Sequence, residues 1–464
     1  MATKNQKKRA VKKVAKQAKK NPKIFIILFL LLLAIGGVVL VLYFTGTLDN
    51  IINKINGVKD AESTQTTPQS TVQPTSSQSS PAQSTGTGAH SHEDEDGIVE
   101  NIIYDNFQIH FLELGNDKAG DSVYIKAGDN DILIDAGSRR GSAPTLKNYI
   151  DQYCTDGKLE YVIATHAHED HIAGLVGEDS TKSGIFYKYQ IDTSIDFALT
   201  DVSSALYNTS YVNALTYLTE HGTTHHQVDY YFDSNKNPTS EASIQLAENI
   251  SMDIIYNRYY FERSSKENNY SVCTMFNYND KHYLFTGDLE KSGEQSIAAY
   301  YDGSTPSKTL PKVELFKAGH HGSETSSNEC LLSIIQPKIC VACCCAGNTE
   351  YTVVNDNIFP TQNFIDRIAV YTSRVYVTTL FDQTTLNYVS MNGNIVVSSN
   401  GTKVGLNASN NLIRLKDTEW FNEQVYVVDG KIAKGNKGSK DFYTSNDSGA
   451  QLVPRRVWPQ NGVQ

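Results

Sequence analysis

Several things are scarce in this chain of 464 residues, and each scarcity excludes something. Cysteine is the first. Seven residues, an odd number without framework spacing, do not make a disulfide scaffold. Four of them, Cys340, Cys343, Cys344 and Cys345, fall in the apolar run 339–346 and read as small hydrophobes of a buried strand rather than as metal ligands. Basic charge is scarce outside the first segment. The net charge is −10, yet residues 1–23 hold ten Lys/Arg and no acid, so the rest carries about −20. Such a body is poorly suited to nonspecific nucleic-acid binding, although a local basic groove stays open. Long apolar runs are nearly absent. The exception is residues 24–44, which carry no charge. At about 1.5 Å per residue they reach across a hydrocarbon core of about 30 Å. No small-x-small cleavage site follows Phe44, so the segment reads as an uncleaved anchor. The basic flank then stays in the cytoplasm and the remainder lies outside the cell. No internal repeat is visible.

What is present divides the chain. Residues 1–23 form a basic tail and 24–44 a single membrane span. Residues 45–102 are a linker rich in Ser, Thr, Gln and Pro, too polar to offset its ordering entropy. The folded part begins near Ile103. Alternating apolar residues predict strands at 107–114, 122–126 and 131–135, with a hairpin turn at 127–130 and helical spacing over 142–154. Strands are expected again at 271–277 and 282–286, and an apolar strand at 313–318 runs into Gly319-His320-His321-Gly322-Ser323. Closing strands are expected at 374–379, 386–391 and 394–398, with Asn392-Gly393 as a tight turn. This pattern suggests an α/β sandwich. Both tryptophans, Trp420 and Trp458, lie in residues 405–464, which read as an extension packing on the main domain.

Histidine is also sparse, and it is concentrated. The run Tyr161-Val162-Ile163-Ala164 is followed by Thr165-His166-Ala167-His168-Glu169-Asp170-His171. This places three imidazoles and two carboxylates on the loop after a buried strand, where open α/β sheets carry their sites. The donor set suits zinc or a similar divalent metal, and one loop could offer two ligands to one ion and two to a neighbour. Gly287-Asp288 and His320-His321 end two other strands, and Asp135 ends a fourth.

This order resembles the metallo-β-lactamase superfamily. The finer pattern is similar to its ComEC-type branch, the extracellular hydrolase domain of competence DNA-uptake proteins. The matching stretches are Ile109-His-Phe-Leu-Glu-Leu-Gly, Gly120-Asp121-Ser122, Leu133-Ile-Asp135-Ala-Gly, the histidine cluster, Asn268-Asn-Tyr-Ser271, Leu284-Phe-Thr-Gly-Asp288 and Lys317-Ala-Gly-His-His-Gly-Ser323. The resemblance implies a metallo-β-lactamase-like αββα sandwich over residues 103–404. It implies one or two divalent ions, Zn²⁺ first and Mn²⁺ as the alternative. His166 and His168 are the implied ligands of one ion, Asp170 and His171 of the other, with Asp288 between the two. His321, directly before a glycine, is the implied last ligand, with His320 as the alternative; if His321 is the ligand, His320 supports the ligands or faces the substrate. Asp121 and Asp135 stand behind the ligands. Asn269, Ser271 and Ser323 are the implied substrate contacts. One departure is plain: where many members place a further histidine, this chain has Asn268-Asn269-Tyr270-Ser271. His221, His225, His226 and His282 lie in that interval, none in a matching motif.

The chemistry expected is hydrolysis by a water whose pKa is lowered by the cations, with Asp170 orienting it. Lys317 either contacts an anionic substrate or is a solvated strand-end lysine. Ser323, Ser326 and Ser327 sit at an expected helix start, suited to an anion or to plain capping. The implied activity is a membrane-anchored, extracellular phosphodiesterase or nuclease acting on DNA or another phosphodiester polymer. The alternatives are a cell-envelope phosphoesterase of the teichoic-acid phosphorylcholine esterase kind, or a surface binding module without catalysis. With one apolar run, DNA transport does not follow from the resemblance.

Overall fold

Nineteen strands are described, over residues 96–464 of a computed structural model. The basic tail, the 24–44 span and nearly all of the linker lie outside these residues. Among the described residues, no helix is long and apolar enough to cross a membrane. In chain order the first strands are β1 (Ile98–Glu100), β2 (Phe107–Phe111), β3 (Val123–Ala127), β4 (Asn130–Ile134), β5 (Lys158–Ile163), β6 (Gln190–Asp196) and β7 (Thr224–Gln227). The next eight are β8 (Ser243–Ala247), β9 (Ile250–Ile255), β10 (Cys273–Tyr278), β11 (Lys281–Phe285), β12 (Leu315–Lys317), β13 (Ile339–Ala346), β14 (Val375–Asp382) and β15 (Asn387–Ser390). Then come β16 (Ile395–Ser399), β17 (Val404–Ala408), β18 (Gln424–Val427) and β19 (Gln451–Pro454).

Seventeen of the strands form two large mixed sheets, and β18 pairs with β19 in a small third one. One runs β1-β17-β16-β2-β3-β4-β5-β6-β7, and the other β15-β14-β13-β12-β11-β10-β9-β8. Tight turns make the antiparallel parts: Ala127 pairs with Asn130, and Tyr278 with Lys281. Helices make the parallel parts. The first three are α1 (Ala143–Ile150), α2 (Glu169–Val176) and α3 (Val212–Glu220), along the parallel run β4 to β7. In the second sheet, α4 (Lys291–Tyr300), α5 (Glu329–Ile335) and α6 (Gln362–Ile368) connect the parallel strands β11 to β14. Parallel strands send their C-terminal ends to one edge, which is where the polar clusters of the sequence fall.

Alternation along the strands builds the layers. Phe107 and Phe111 face across to the second sheet, with ring centroids 5.0 Å from Tyr283 and 6.2 Å from Phe285. Leu284, Phe316, Cys340, Ala342 and Cys344 point the other way, into a second core with Leu331, Leu332, Phe364 and Ile365. Leu146, Ile150, Ile172 and Leu218 belong to the first core. The result is two sheets face to face with helices outside. All of β13 is buried, so its four cysteines are core residues, and the free thiols of Cys343 and Cys344 lie on opposite faces of the strand.

The structure differs from the sequence reading in three places. The sheet begins at Ile98 rather than near Ile103, because β1 pairs in parallel with β17. That pairing also makes residues 405–408 part of the sandwich rather than of the extension. Asn392-Gly393 is not a hairpin turn. β15 pairs with β14 in one sheet, whereas β16 lies between β2 and β17 in the other. The buried Asn392 amide makes this crossing: its Oδ1 accepts from Val377 N (3.1 Å), and its Nδ2 donates to the carbonyls of Asn411 and Ile413 (both 3.0 Å).

One buried carboxylate ties α4 to α5. Glu294 accepts from Ser327 N (2.5 Å), Asn328 N (2.9 Å) and Asn328 Nδ2 (2.7 Å), where α5 would otherwise start with unpaired donors. Glu294→Ala strands these donors and is expected to lower the unfolding free energy by about 2–3 kcal/mol. Urea denaturation of the two proteins checks it; coincident curves would mean that the carboxylate is dispensable.

Candidate metal centre

β5 ends at Ile163, and the chain then turns into α2 with His168 as its N-cap. Asp170 and His171 therefore project from the first helical turn, where carboxylates are favoured. The turn is pressed against the end of β4. A Cβ on Gly137 would lie 1.7 Å from Asp170 O, and one on Gly174 2.0 Å from Ala136 O. No larger residue fits either position, and Ala136 N and Gly174 N close hydrogen bonds across the gap (2.8 and 2.6 Å).

Four side chains from three strand ends converge. Asp170, His171, Asp288 and His321 are all buried, and each offers a ligand atom within 4.8 Å of the others. Asp288 Oδ2 lies 3.1 Å from His171 Nε2 and 3.4 Å from His321 Nε2; Asp170 Oδ2 lies 3.4 Å from His321 Nε2. The inner nitrogens of both histidines and one oxygen of Asp288 are buried without a hydrogen bond. Buried polar atoms of this kind call for a partner, and two imidazoles with two carboxylates are the donors of a divalent cation. The residues fit the metal.

Groups behind the ligands aim them. His171 Nδ1 is 2.7 Å from Asp135 Oδ2, and Asp135 also accepts from Thr165 N (2.8 Å) and Oγ1 (2.7 Å). His321 Nδ1 faces Cys343 O (3.0 Å) and Asp121 Oδ1 (3.1 Å). Each outer nitrogen thus donates to oxygen, which leaves Nε2 as the ligand atom. Ser271 Oγ accepts from Asp288 N (3.1 Å). His320 and His321 both have left-handed backbones (φ 48° and 56°), and this turn sends their rings to different sides.

Charge in the centre is unevenly held. Burial opposes a charged His171, but Asp288 and Asp135 outweigh it and raise its pKa well above the usual value. Burial likewise opposes charge on His321, and Asp288 and Asp121 overcome it. Asp170 and Asp288 stay well below the carboxylate range, since the positive imidazoles beside them outweigh burial. The carboxylates around them therefore favour the protonated form of both ligand histidines in the metal-free protein. Metal binding requires them neutral, so it is expected to release about two protons, and affinity should rise with pH. Calorimetry in buffers of different ionisation heat measures the number; release of less than one proton would contradict this charge state.

The other residues marked by the sequence separate here into those at the centre and those that are not. His166 Nε2 and His168 Nδ1 lie 3.0 Å apart, so this pair can offer two nitrogens beside the four-residue group without belonging to it. His320 is partly exposed; its Nε2 is 3.8 Å from Asp288 Oδ2, and its Nδ1 meets Thr325 Oγ1 (2.9 Å) and Asn268 Nδ2 (3.3 Å). None of the interval histidines reaches the centre: His225 pairs with Asp196 (2.9 Å), His226 stacks on Tyr230, His221 bonds Tyr217 O, and His282 bonds Asn277 (2.8 Å).

Four assignments are corrected. Lys317 is neither solvated nor a substrate contact. It is buried, ion-paired to Asp121, 3.1 Å from Gly287 O and 3.7 Å from Asp288 Oδ1. Asn269 does not face substrate, because its amide is used by Ser264, Ser292 and Glu290 N. Ser271 is fully buried and holds Asp288. Ser323 is not at a helix start: α5 begins at Glu329 with Asn328 as N-cap, and Ser323 Oγ is spent on Thr325.

The sequence reading missed Tyr351, whose hydroxyl donates to Asp170 Oδ2 (2.7 Å), and Phe359, whose ring lies 5.3 Å from Tyr351 and 5.6 Å from His320. Neither sits in a motif, so no local signal marks them. A cleft of about 1140 Å³ lined by Asp253, Asn277, His282 and Tyr301 lies elsewhere. Its polar side chains bond one another, with Asp253 holding Asn277 (2.7 Å) and Ser243 (2.6 Å), so it has no convergent unpaired group.

Comparison with known proteins places this centre in context. A family model described as Anti-Pycsar protein Apyc1 matches residues 116–336. Recombination protein 2 of Haemophilus influenzae is 29% identical over 122 residues, 26% of this chain and 14% of that protein. Competence protein ComA of Neisseria gonorrhoeae is 41% identical over 59 residues, 13% of this chain and 8% of that protein. The chain thus spans only a small part of the curated relatives it matches. Among solved structures, the metallo-β-lactamase fold protein YhfI from Bacillus subtilis is similar at 11% identity and a TM-score of 0.34, covering 59% of this chain and 96% of that one. The chain has a mixed α/β, sheet-rich fold, and the curated proteins it matches over short stretches are named for recombination and competence.

Proposed function

We propose that this chain is a metal-dependent hydrolase of phosphodiesters, held on the outer face of a cell membrane by residues 24–44. The observation that carries the reading is the convergence of His171 Nε2 and His321 Nε2, both buried and unpaired, on the carboxylates of Asp170 and Asp288. A divalent cation held there supplies positive charge against a phosphoryl oxygen and a water of lowered pKa. The chain's own groups do the rest. Asp135 and Asp121 keep the two imidazoles in the ligating tautomer. Asp170 is placed to orient the water. His320, kept neutral at pH 7 because burial lowers its pKa to about 4, presents Nε2 beside Asp288 as a hydrogen-bonding group for the substrate. Zinc suits the His/Asp donors, and manganese is the alternative.

The resemblance to the hydrolase domain of competence DNA-uptake proteins favours DNA as substrate. The acidic body favours a second reading, an envelope phosphodiester polymer, because a surface of this sign repels nucleic acid. The full-length chain, loaded with Zn²⁺ or Mn²⁺, is to be assayed on single- and double-stranded DNA and on bis-p-nitrophenyl phosphate. Hydrolysis of all three supports a nuclease. Hydrolysis of the small diester alone supports the envelope substrate. No turnover with metal bound sinks the reading.

A further inference from the structure

We infer that Tyr351 is a substrate-contacting residue, its phenol donating to an anionic oxygen of a bound phosphoryl group, and that the C-terminal segment holds it there. The inference rests on the proposed hydrolase reading for its substrate class. It begins with a mismatch. Tyr351 is 43% exposed, so it is not a core residue, yet its hydroxyl is turned inward onto Asp170 Oδ2 at 2.7 Å. That oxygen also faces His321 Nε2 at 3.4 Å and belongs to the group that fits a cation. Once its lone pairs serve a cation, the O–H beside it is free to donate to the next anionic oxygen at the same place. A ligand that reaches the centre brings that oxygen. The ring rests on Phe359 (5.3 Å), which in turn lies 5.6 Å from His320 and 6.0 Å from His321. Tyr351 and Phe359 thus form a continuous aromatic wall beside the two histidines.

The wall is carried by the loop between β13 and α6, and the C-terminal segment clamps this loop along its length. Thr349 Oγ1 donates to Ser439 O (2.6 Å), Ile432 N to Val353 O (2.8 Å) and Asn355 N to Gly430 O (2.9 Å). Buried Arg456 donates to Ile358 O (2.6 Å) and Pro360 O (2.9 Å), so both neighbours of Phe359 are fixed. Val353 and Ile358 share a small core with Val425, Val427 and Ile432. Arg139 and Glu350 pair at the side facing the first sheet. A loop with no task at the centre would not need so many fixings around one inward-turned phenol.

The test uses the full-length, zinc-loaded chain and its Y351F variant, with inorganic phosphate as the probe. Y351F is expected to bind phosphate about tenfold more weakly and to lose about thirtyfold in kcat/KM on bis-p-nitrophenyl phosphate. Zinc affinity and melting temperature should be unchanged. Thr349→Val, which loosens the clamp without touching the centre, should weaken phosphate binding in the same direction by a smaller factor. Equal phosphate affinity in Y351F, or no phosphate binding by either protein, overturns the inference. So does a fall in zinc affinity that matches the fall in phosphate affinity, since Tyr351 would then only be holding Asp170. If phosphate binding weakens as expected but no diester is hydrolysed by either protein, the hydrolase reading fails while the role of Tyr351 stands.

Discussion

Asp288→Ala is expected to lower zinc affinity at least about a hundredfold, and turnover about a thousandfold, without unfolding the domain. Asp288 is the carboxylate around which the imidazoles are gathered: its Oδ2 lies 3.1 Å from His171 Nε2, 3.4 Å from His321 Nε2 and 3.8 Å from His320 Nε2. Removing it takes away a ligand and also the negative charge that lets positive rings sit together. The backbone at this turn is held independently. Leu289 N bonds Thr286 O, and His320 N bonds Gly287 O, and neither needs the side chain. Calorimetric zinc titration and near-UV circular dichroism on the same samples separate loss of the ligand from loss of the fold. Wild-type zinc affinity in this variant would mean that the four-residue centre is not the binding site.

Lys317→Met should be the most destabilising change, by roughly 4–5 kcal/mol in the metal-free protein. The lysine is 2% exposed, is ion-paired to Asp121 and lies 3.7 Å from Asp288, with Gly287 O accepting at 3.1 Å. Burial disfavours its charge, but the two carboxylates outweigh that and raise its pKa. Methionine keeps most of the volume and removes the cation, leaving two buried carboxylates to face each other. The imidazoles of His171 and His321 then remain as the positive groups beside these carboxylates, and a metal ion adds to them. The gap in unfolding free energy between zinc-bound and zinc-free protein should therefore be wider in the variant than in the wild type. Denaturation with and without zinc measures both effects. A variant as stable as the wild type, with the same zinc dependence, would show that the lysine does not balance these charges.

The parts of the centre that are legible in the sequence are those that follow directly from a strand. His166, Asp170 and His171 follow β5, Asp288 follows β11, and His320 and His321 follow β12; in each case an apolar run announces the strand and the polar residues begin where it stops. Lys317 belongs to the same kind of stretch and still misleads, because a lysine at a strand end is exposed unless carboxylates from elsewhere surround it. Those carboxylates, Asp121 and Asp288, come from distant segments. Asn269 and Ser271 mislead for a related reason: a motif marks the positions that matter, and here they matter for holding α4 and Asp288. Tyr351 lies beyond any such signal, since its approach to Asp170 depends on how a long loop is fastened by residues about eighty to a hundred positions later. The sandwich itself is readable from alternating strands, but the crossing at Asn392-Gly393 is not. A turn sequence records that the chain bends, and not which sheet it bends toward.

That crossing also bears on the order in which the molecule can assemble. β16 sits between β2 and β17, with Val397 opposite Ile109, so β2 lacks one neighbour until nearly the whole domain exists. A chain emerging from its N-terminus presents Phe107, Ile109 and Phe111 long before their partner strand arrives. Contacts so distant in sequence are slow to form, and the waiting edge is open to pairing with other chains. The first sheet therefore cannot be complete until residues 395–408 are in place.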